Sequence, residues 1–173
     1  MAIISGNNAD NVLNGTADDD RIVGQGGNDT INGNASDDFI LWCYGDGDDI
    51  IDGGDGFSPF SNLVSNVERI TVSGEGGNDT LNGQTGDDVM TGGAGNDVFI
   101  FTPNFNHDVV TDFEDGSDRL RFFKNGVADI IDLTISDLNG DLLISVTAAP
   151  QNDVLLLGQA GLTLDAGDFI FFP

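Results

Sequence analysis

An all-β solenoid is the fold class that the sequence predicts, and three observations predict it. Near-copies of one nine-residue unit recur through the first two thirds of the chain. Each copy joins a turn rich in Gly and Asn to a short strand-like segment carrying an apolar residue. After the last copy the composition shifts to short apolar runs separated by hairpin signals, the pattern of a β cap.

The copies align as follows. SGNNADNVL (Ser5 to Leu13) precedes NGTADDDRIV (Asn14 to Val23, one residue longer), GQGGNDTIN (Gly24 to Asn32) and GNASDDFIL (Gly33 to Leu41). After Trp42 and Cys43 comes YGDGDDIID (Tyr44 to Asp52). A second block holds GEGGNDTLN (Gly74 to Asn82), GQTGDDVMT (Gly83 to Thr91) and GGAGNDVFI (Gly92 to Ile100). The sixth position of each copy is an aspartate: Asp10, Asp20, Asp29, Asp38, Asp49, Asp79, Asp88 and Asp97. The eighth is apolar: Val12, Ile22, Ile31, Ile40, Ile51, Leu81, Met90 and Phe99. Two columns held in register through so many copies are not a product of acidic composition alone.

Gly and Asn visit positive φ at little cost, so the first six residues of a copy curl the backbone and turn carbonyl oxygens inward. The three residues from the seventh on are extended, with the eighth facing the interior and its neighbours facing out. One copy therefore makes a turn and a short strand, two copies close one coil, and copies about 18 residues apart stack on the same side. A cation between stacked turns would meet carboxylates from both, such as Asp20 with Asp38 or Asp79 with Asp97, together with backbone carbonyls at the fourth turn position, including Gly27, Gly77, Gly86 and Gly95. An all-oxygen cage of adaptable size suits calcium better than magnesium, which demands a rigid octahedron, or zinc, which prefers nitrogen and sulfur.

Charge points the same way. Thirty acidic residues against five basic ones give a formal charge of -25, which repels itself in any compact state and makes nucleic acid and anionic membranes poor partners. About six calcium ions, the number of stacked aspartate pairs, would cancel close to half of that excess. Folding is then expected to be linked to metal. At 173 residues with a single cysteine, Cys43, the chain has no internal disulfide to staple it. No N-terminal leader pattern and no apolar run long enough to span a bilayer is present.

The solenoid is expected over residues 1–116, interrupted at about 57–73. GGDGFSPFS (Gly53 to Ser61) begins as a copy but has Ser58 where the aspartate belongs, and Pro59 interrupts a strand ladder, so a metal site is lost there. Phe57 and Phe60 are read as plugging the side of the solenoid, the alternative being an exposed partner-binding tip. NVERITVSG (Asn66 to Gly74) alternates Val67, Ile70 and Val72 with polar residues, as a rung without calcium would. Beyond Ile100 the glycines thin out, but Asp108 with Val110 and Asp118 with Leu120 keep the aspartate-x-apolar element, as degenerate turns of the same kind.

Residues 117–173 are expected to form a C-terminal β cap. Asn125-Gly126 and Asn139-Gly140 are tight-turn pairs. Ile130 to Ile135, Leu142 to Val146, Val154 to Leu157 and Phe169 to Phe172 read as short strands. A solenoid end exposes apolar surface and unpaired backbone, which such a cap covers.

The nonapeptides, the HDVVTDFEDGSDRL transition and the DFIFFP ending together resemble the C-terminal β-roll region of the RTX family of bacterial exoproteins. That region is shared by serralysin-type metalloproteases, some lipases, alginate epimerase modules and pore-forming toxins, and the resemblance covers nearly the whole chain. It implies a parallel β-roll, that is, a right-handed β-solenoid, with calcium between its turns. It also implies a C-terminal tail read by a type I secretion system without cleavage. Asp168 with Phe169, Ile170, Phe171 and Phe172 matches that tail, while Pro173 departs from the usual ending.

The catalytic motifs of the family's enzymes are missing. There is no H-E-x-x-H and no G-x-S-x-G. The only histidine, His107, stands beside Asp108 and reads as a turn residue, and Cys43 lacks a resolving partner. The aspartate pairs repeat at metal-site register, unlike the two isolated carboxylates of a glycosidase. The expected function is thus a non-enzymatic, secreted calcium-binding structural or surface-associated module, folded by calcium after export and open to self-association or a cell-surface partner. The alternative is a secretion and folding module at the C-terminal end of a larger enzyme or adhesin. The intact Met1 favours the first. Outward threonines such as Thr30, Thr80 and Thr91 are too sporadic for an ice- or polysaccharide-binding face.

Overall fold

A computed structural model describes residues 1–42, 48–54, 60–62, 69–123 and 127–172. Its strands are short because each nine-residue copy spends six residues on its turn and leaves three for an extended segment. The strands stack as a parallel β-solenoid with two faces. On one face run β1 (Ile3–Ser5), β3 (Arg21–Val23), β5 (Phe39–Trp42) and β7 (Phe60–Asn62), followed by a second sheet of β9 (Thr80–Asn82), β11 (Val98–Phe101), β13 (Arg119–Phe123) and β17 (Phe169–Phe172). On the other face a single sheet holds β2 (Val12–Asn14), β4 (Thr30–Asn32), β6 (Asp48–Asp52), β8 (Arg69–Ser73), β10 (Val89–Thr91), β12 (His107–Val110) and β16 (Asp153–Leu156), in that spatial order. Two antiparallel strands, β15 (Asp141–Val146) and β14 (Leu133–Leu138), extend it beyond β16.

The register confirms the eighth position as the inward one. Ile22 pairs with Ile40, Ile31 with Ile51, Met90 with Val72 and Phe99 with Leu81, and all are buried. Val110 and Leu120 continue the same rows from the degenerate turns. β8 is the rung expected from the alternation around Ile70 and Val72.

The first copy is corrected by one residue. Val12 is 73% exposed and pairs with Thr30, while Leu13 is 9% exposed and pairs with Ile31. The copy therefore starts at Gly6, and Asn11, one residue after Asp10, takes the sixth position. With that start the second copy runs from Gly15 to Val23 and has no extra residue. The cause lies in the turn: Asn8 and Ala9 stand where Gly26 and Gly27 stand one coil later.

A second correction falls in the C-terminal region. Ile130–Asp132 is a single 3-10 turn and the strand starts at Leu133. The Asp129 side chain accepts the Ile130 N–H, and Asp132 accepts the N–H groups of Ala128 and Asp129, a reciprocal cap that outweighs the β-branched residues between them. Asn139 and Gly140 both have positive φ and join β14 to β15 as a tight hairpin. Asn125-Gly126, Phe57, Ser58, Pro59, Cys43 and Tyr44 lie outside the described residues, as do the side chains of Trp42 and Phe60.

After the hairpin the chain returns to the solenoid: β16 pairs parallel with β12, and β17 parallel with β13. The core changes along the axis. Aliphatic Leu13, Ile22, Ile31, Ile40 and Ile51 give way to Phe99, Phe101, Phe105, Phe113 and Phe122. Ring centroids of Phe101 lie 5.2 Å from Phe105 and 5.2 Å from Phe122, so the wider C-terminal coils are filled by aromatic contacts.

Candidate metal centre

The sixth-position aspartates stand in two columns, one beneath each face. The strand register that stacks the eighth residues also stacks residues two positions earlier, and each carboxylate reaches across one coil. Oδ1 of Asp38 accepts the backbone N–H of Asp20 at 2.8 Å, and Oδ1 of Asp97 that of Asp79 at 2.8 Å. Oδ1 of Asp118 accepts the N–H of Asp97 at 3.0 Å. In the other column Asp29 accepts from Asn11, Asp49 from Asp29, and Asp108 from Asp88. The degenerate Asp108 and Asp118 thus occupy true column positions, although two or three extra residues intervene. The second column is broken once: the backbone position opposite Asp49 is Ile70.

Nine of the ten aspartates named from the sequence are buried: Asp20, Asp29, Asp38, Asp49, Asp79, Asp88, Asp97, Asp108 and Asp118. Asp10 is exposed, and its Oδ1 accepts the N–H of Asn28 instead of a column residue. Gly27, Gly77, Gly86 and Gly95 all have positive φ at the fourth position. At Gly95 itself a side chain is barred, because a Cβ would fall on the Gly77 carbonyl oxygen.

The second carboxylate oxygen divides the aspartates. Oδ2 of Asp29, Asp38, Asp97 and Asp108 is buried and accepts no hydrogen bond. In Asp29, Asp38 and Asp97 it lies against the first glycine of its own turn: a Cβ on Gly24 would sit 2.6 Å from Asp29 Oδ2, one on Gly33 2.5 Å from Asp38 Oδ2, and one on Gly92 would collide with Asp97 Oδ2. Both oxygens of Asp20 are taken, Oδ1 by the N–H of Ala2 and Oδ2 by the N–H (2.6 Å) and hydroxyl (2.8 Å) of Thr16. Asp118 Oδ2 likewise accepts the N–H of Glu114 at 2.9 Å.

The electrostatics follow this division except at Asp118, where burial outweighs the hydrogen bonds. Burial pushes the Asp38 carboxyl up to about 6, with the charges of Asp20, Asp19 and Asp37 adding to it. Burial also raises Asp29 and Asp97, where Asp10 and Asp112 respectively add repulsion. Asp108 is raised well above the usual range by burial and the charge of Asp88, and the next coil sets Val154 opposite it. Asp118 is raised mainly by burial. Asp20 runs the other way, because the N–H groups of Ala2 and Thr16 hold its carboxyl below the usual range.

A buried carboxylate with no compensating partner costs about 3–5 kcal/mol. Four of them together cost about 12–20 kcal/mol, the size of a domain's whole net stability of about 5–15 kcal/mol, so protonation or a cation is strongly favoured at each. Calcium fits this donor set: hard carboxylate oxygens, a turn of carbonyls and small residues around them, and no nitrogen or sulfur. Among the described residues no three His, Cys, Asp or Glu side chains converge to hold a metal, so backbone oxygens are required beside the carboxylates.

The residues at the second turn position escaped the sequence reading. Gln25, Asn34, Glu75 and Gln84 all have φ between 65 and 78°, and Gly93 has φ 90°. A non-β-branched residue recurring one place after the first glycine was the available signal. His107 begins β12, is exposed, and its Nδ1 lies 2.8 Å from Asp153 Oδ2, tying β12 to β16. A polar cleft of about 330 Å³ opens between Asn32, Asn34, Asp52, Gly54 and Glu75. Among the described residues no helix is long and apolar enough to cross a membrane.

Comparison with known proteins agrees with this geometry. The solution structure of the AlgE6R2 subunit from the Azotobacter vinelandii mannuronan C5-epimerase matches at 22% identity, covering 97% of this chain and 91% of that one, with a TM-score of 0.50. The AlgE6R3 subunit of the same protein matches at 22% identity over 95% of this chain and 80% of that one, TM-score 0.48. Extracellular lipase LipA from Serratia marcescens matches at 15% identity over 95% of this chain, TM-score 0.42, and this chain spans only 39% of the lipase. No curated protein sequence matches. Residues 5–40 and 71–100 match the family described as RTX calcium-binding nonapeptide repeat, in four copies, and these are the segments on which most of the aspartate columns stand. Over those two segments the chain is similar to the RTX calcium-binding nonapeptide repeat, and its strands stack as a parallel β-solenoid.

Proposed function

We propose that this chain is a non-enzymatic, extracellular calcium-binding module whose β-roll is assembled by calcium after export. The observation that carries the reading is the set of buried, unpartnered Oδ2 atoms on Asp29, Asp38, Asp97 and Asp108. These four are the proposed first ligands. Asp49, Asp79 and Asp88 join them by register, with backbone oxygens around Gly27, Gly77, Gly86 and Gly95 completing the cages. Bound calcium supplies the positive charge that lets these carboxylates stay ionised in a dry interior. The residues do the rest: Oδ1 fixes the neighbouring coil, the glycines admit the carboxylate, and the eighth-position side chains exclude water.

Affinity in the range of extracellular calcium modules, roughly 10⁻⁴ to 10⁻³ M, would leave the chain unfolded where calcium is scarce and fold it outside. The C-terminal strand β17 is paired with β13 along its length, so a type I secretion system would read that tail only in the unfolded chain. Residues 117–173 would then serve as export signal before folding and as cap after it. The non-enzymatic reading rests on the missing catalytic motifs and on His107, which is exposed and engaged with Asp153.

A second reading is favoured by the AlgE6R2 subunit, whose name places it within a larger epimerase. On that reading the chain is the folding and secretion module of a longer secreted protein. Circular dichroism of the purified chain against calcium concentration tests what both readings share. A cooperative gain of β signal at millimolar calcium, reversed by chelator, is expected, and identical spectra with and without chelator would overturn it.

A further inference from the structure

Two kinds of turn occur in the repeats, and they differ in where the second residue's N–H points. In the turn of Asp38, Asn34 has φ 78° and its N–H is directed away from the carboxylate, to Asn32 Oδ1 at 3.0 Å. In the turn of Asp97, Gly93 has φ 90° and its N–H goes to Asp112 Oδ2 at 2.8 Å. Gln25, before Asp29, shares the left-handed conformation with φ 78°. The fourth position is left-handed in all three turns, at Gly27, Ser36 and Gly95. The aspartates of these three turns keep a buried, unpartnered Oδ2, as does Asp108, whose turn is left-handed at the same two positions, Asn104 and Asn106.

The first two copies are built differently. Neither Asn7 and Ala9 nor Thr16 and Asp18 have positive φ. The second N–H therefore points inward, from Asn7 to Asn11 Oδ1 at 2.7 Å and from Thr16 to Asp20 Oδ2 at 2.6 Å. Thr16 is β-branched, and a left-handed conformation is strongly disfavoured for it. The residue before the turn is not what differs, because Asn14 stands where Asn32 stands one coil later, at the end of the paired strand.

We infer that the second turn position decides whether a repeat takes a cation: the Asp20 turn is closed by its own amide and hydroxyl and holds no calcium, whereas the Asp29, Asp38 and Asp97 turns each need one. This rests on the calcium reading above. It makes residues 6–23 a metal-independent start of the solenoid, with Thr16 as the residue that sets it. An inward amide and a cation are alternatives at the same carboxylate oxygen, since both supply positive charge from the same side.

The test is the number of calcium ions bound by the full chain, counted by native mass spectrometry and by equilibrium dialysis. Asp20→Asn should leave the count of the unaltered chain unchanged, and Asp38→Asn should lower it by at least one. The pair Thr16→Gln with Asp18→Gly, which copies Gln25 and Gly27, should raise it by one. A lost ion in Asp20→Asn, or a folded Thr16→Gln/Asp18→Gly chain with an unchanged count, would overturn the inference. Should the double variant fail to fold, the Asp20→Asn and Asp38→Asn arms decide alone. An unaltered chain that binds no calcium at all would defeat the calcium reading itself, an outcome distinct from these.

Discussion

The two ends of the solenoid are held by different forces. The N-terminal coils enclose one aliphatic residue per strand, Leu13, Ile22, Ile31, Ile40 and Ile51, beside carboxylates that burial pushes up. At the outer edge of these coils Ile3 and Val12 stay largely exposed. The C-terminal coils pack Phe101, Phe105, Phe122 and Phe169 against one another, and β15 and β14 extend their sheet. Apolar burial is worth roughly 25 cal/mol per Å², so coils filled by Phe gain far more from it than coils filled by Ile. One repeat unit thus supports two kinds of coil: one that stands when its charge is neutralised, and one that stands largely on its core.

Removing calcium should break this symmetry most. In hydrogen exchange with chelator, amides of residues 24–54 are expected to lose protection entirely while those of 133–156 keep a measurable part of theirs. Simultaneous loss of both at one calcium concentration would show that the ends form a single cooperative unit.

Truncation after Gly116 should have the next largest effect. It uncovers Phe99, Phe101 and Val110 and removes the pairing of β13 and β16 with the coil beneath. The shortened chain is expected to need several-fold more calcium to fold, or to aggregate. Folding at the original calcium concentration as a soluble monomer would mean that the tail contributes nothing to stability.

Phe122→Ala should destabilise the calcium-bound chain by about 3–5 kcal/mol, measured by urea unfolding, because four other rings lose their shared neighbour. A cost below about 1 kcal/mol would show that the aromatic cluster is loosely packed.

Acid acts on the other end. Asp38 holds its proton up to about 6 in the folded coil, against 3.8 for a free carboxyl. The folded state therefore binds the proton more tightly, and lowering the pH from 7 toward 4 should stabilise the calcium-free coils. The same protons compete with calcium, so affinity should fall over that window. Circular dichroism of the chelated chain should show added β signal on acidification, and Asp38→Asn should show less of this dependence. An unchanged pH profile in that variant would remove Asp38 as a contributor.

The smallest effect is expected at His107→Ala. Its contact with Asp153 is exposed and should be worth no more than about 1 kcal/mol. A larger loss in thermal unfolding would make the β12 to β16 join a critical seam.

The aspartate and apolar columns were legible because a fixed nine-residue period writes the same physical requirement at each coil. Where the period was blurred the reading slipped: without glycines at positions 7 to 9, the first copy was set one residue early, although Gly15, Gly24 and Gly33 extrapolate back to Gly6. The reciprocal cap of Asp129 and Asp132 hid inside a run of β-branched residues. The return of β16 and β17 to the solenoid was not legible at all, because it depends on pairings such as that between residues 107 and 153, which lie 46 apart. The second oxygen of each aspartate was also out of reach, since its partner depends on the φ of a residue four places earlier.

The ladder of Oδ1 bonds at the sixth position runs in one direction only, whereas at the fifth position Asp10, Asp19, Asn78 and Asp87 accept N–H groups of the coil that follows. Asp38 serves the amide of Asp20, Asp97 that of Asp79, and Asp118 that of Asp97, so each turn is fastened by the coil that follows it. Damage to one carboxylate therefore loosens the turn upstream of it and leaves the fastening of the next coil downstream in place. Erosion of this ladder proceeds toward the N-terminus, and an intact downstream coil is the template against which a loosened one can re-form.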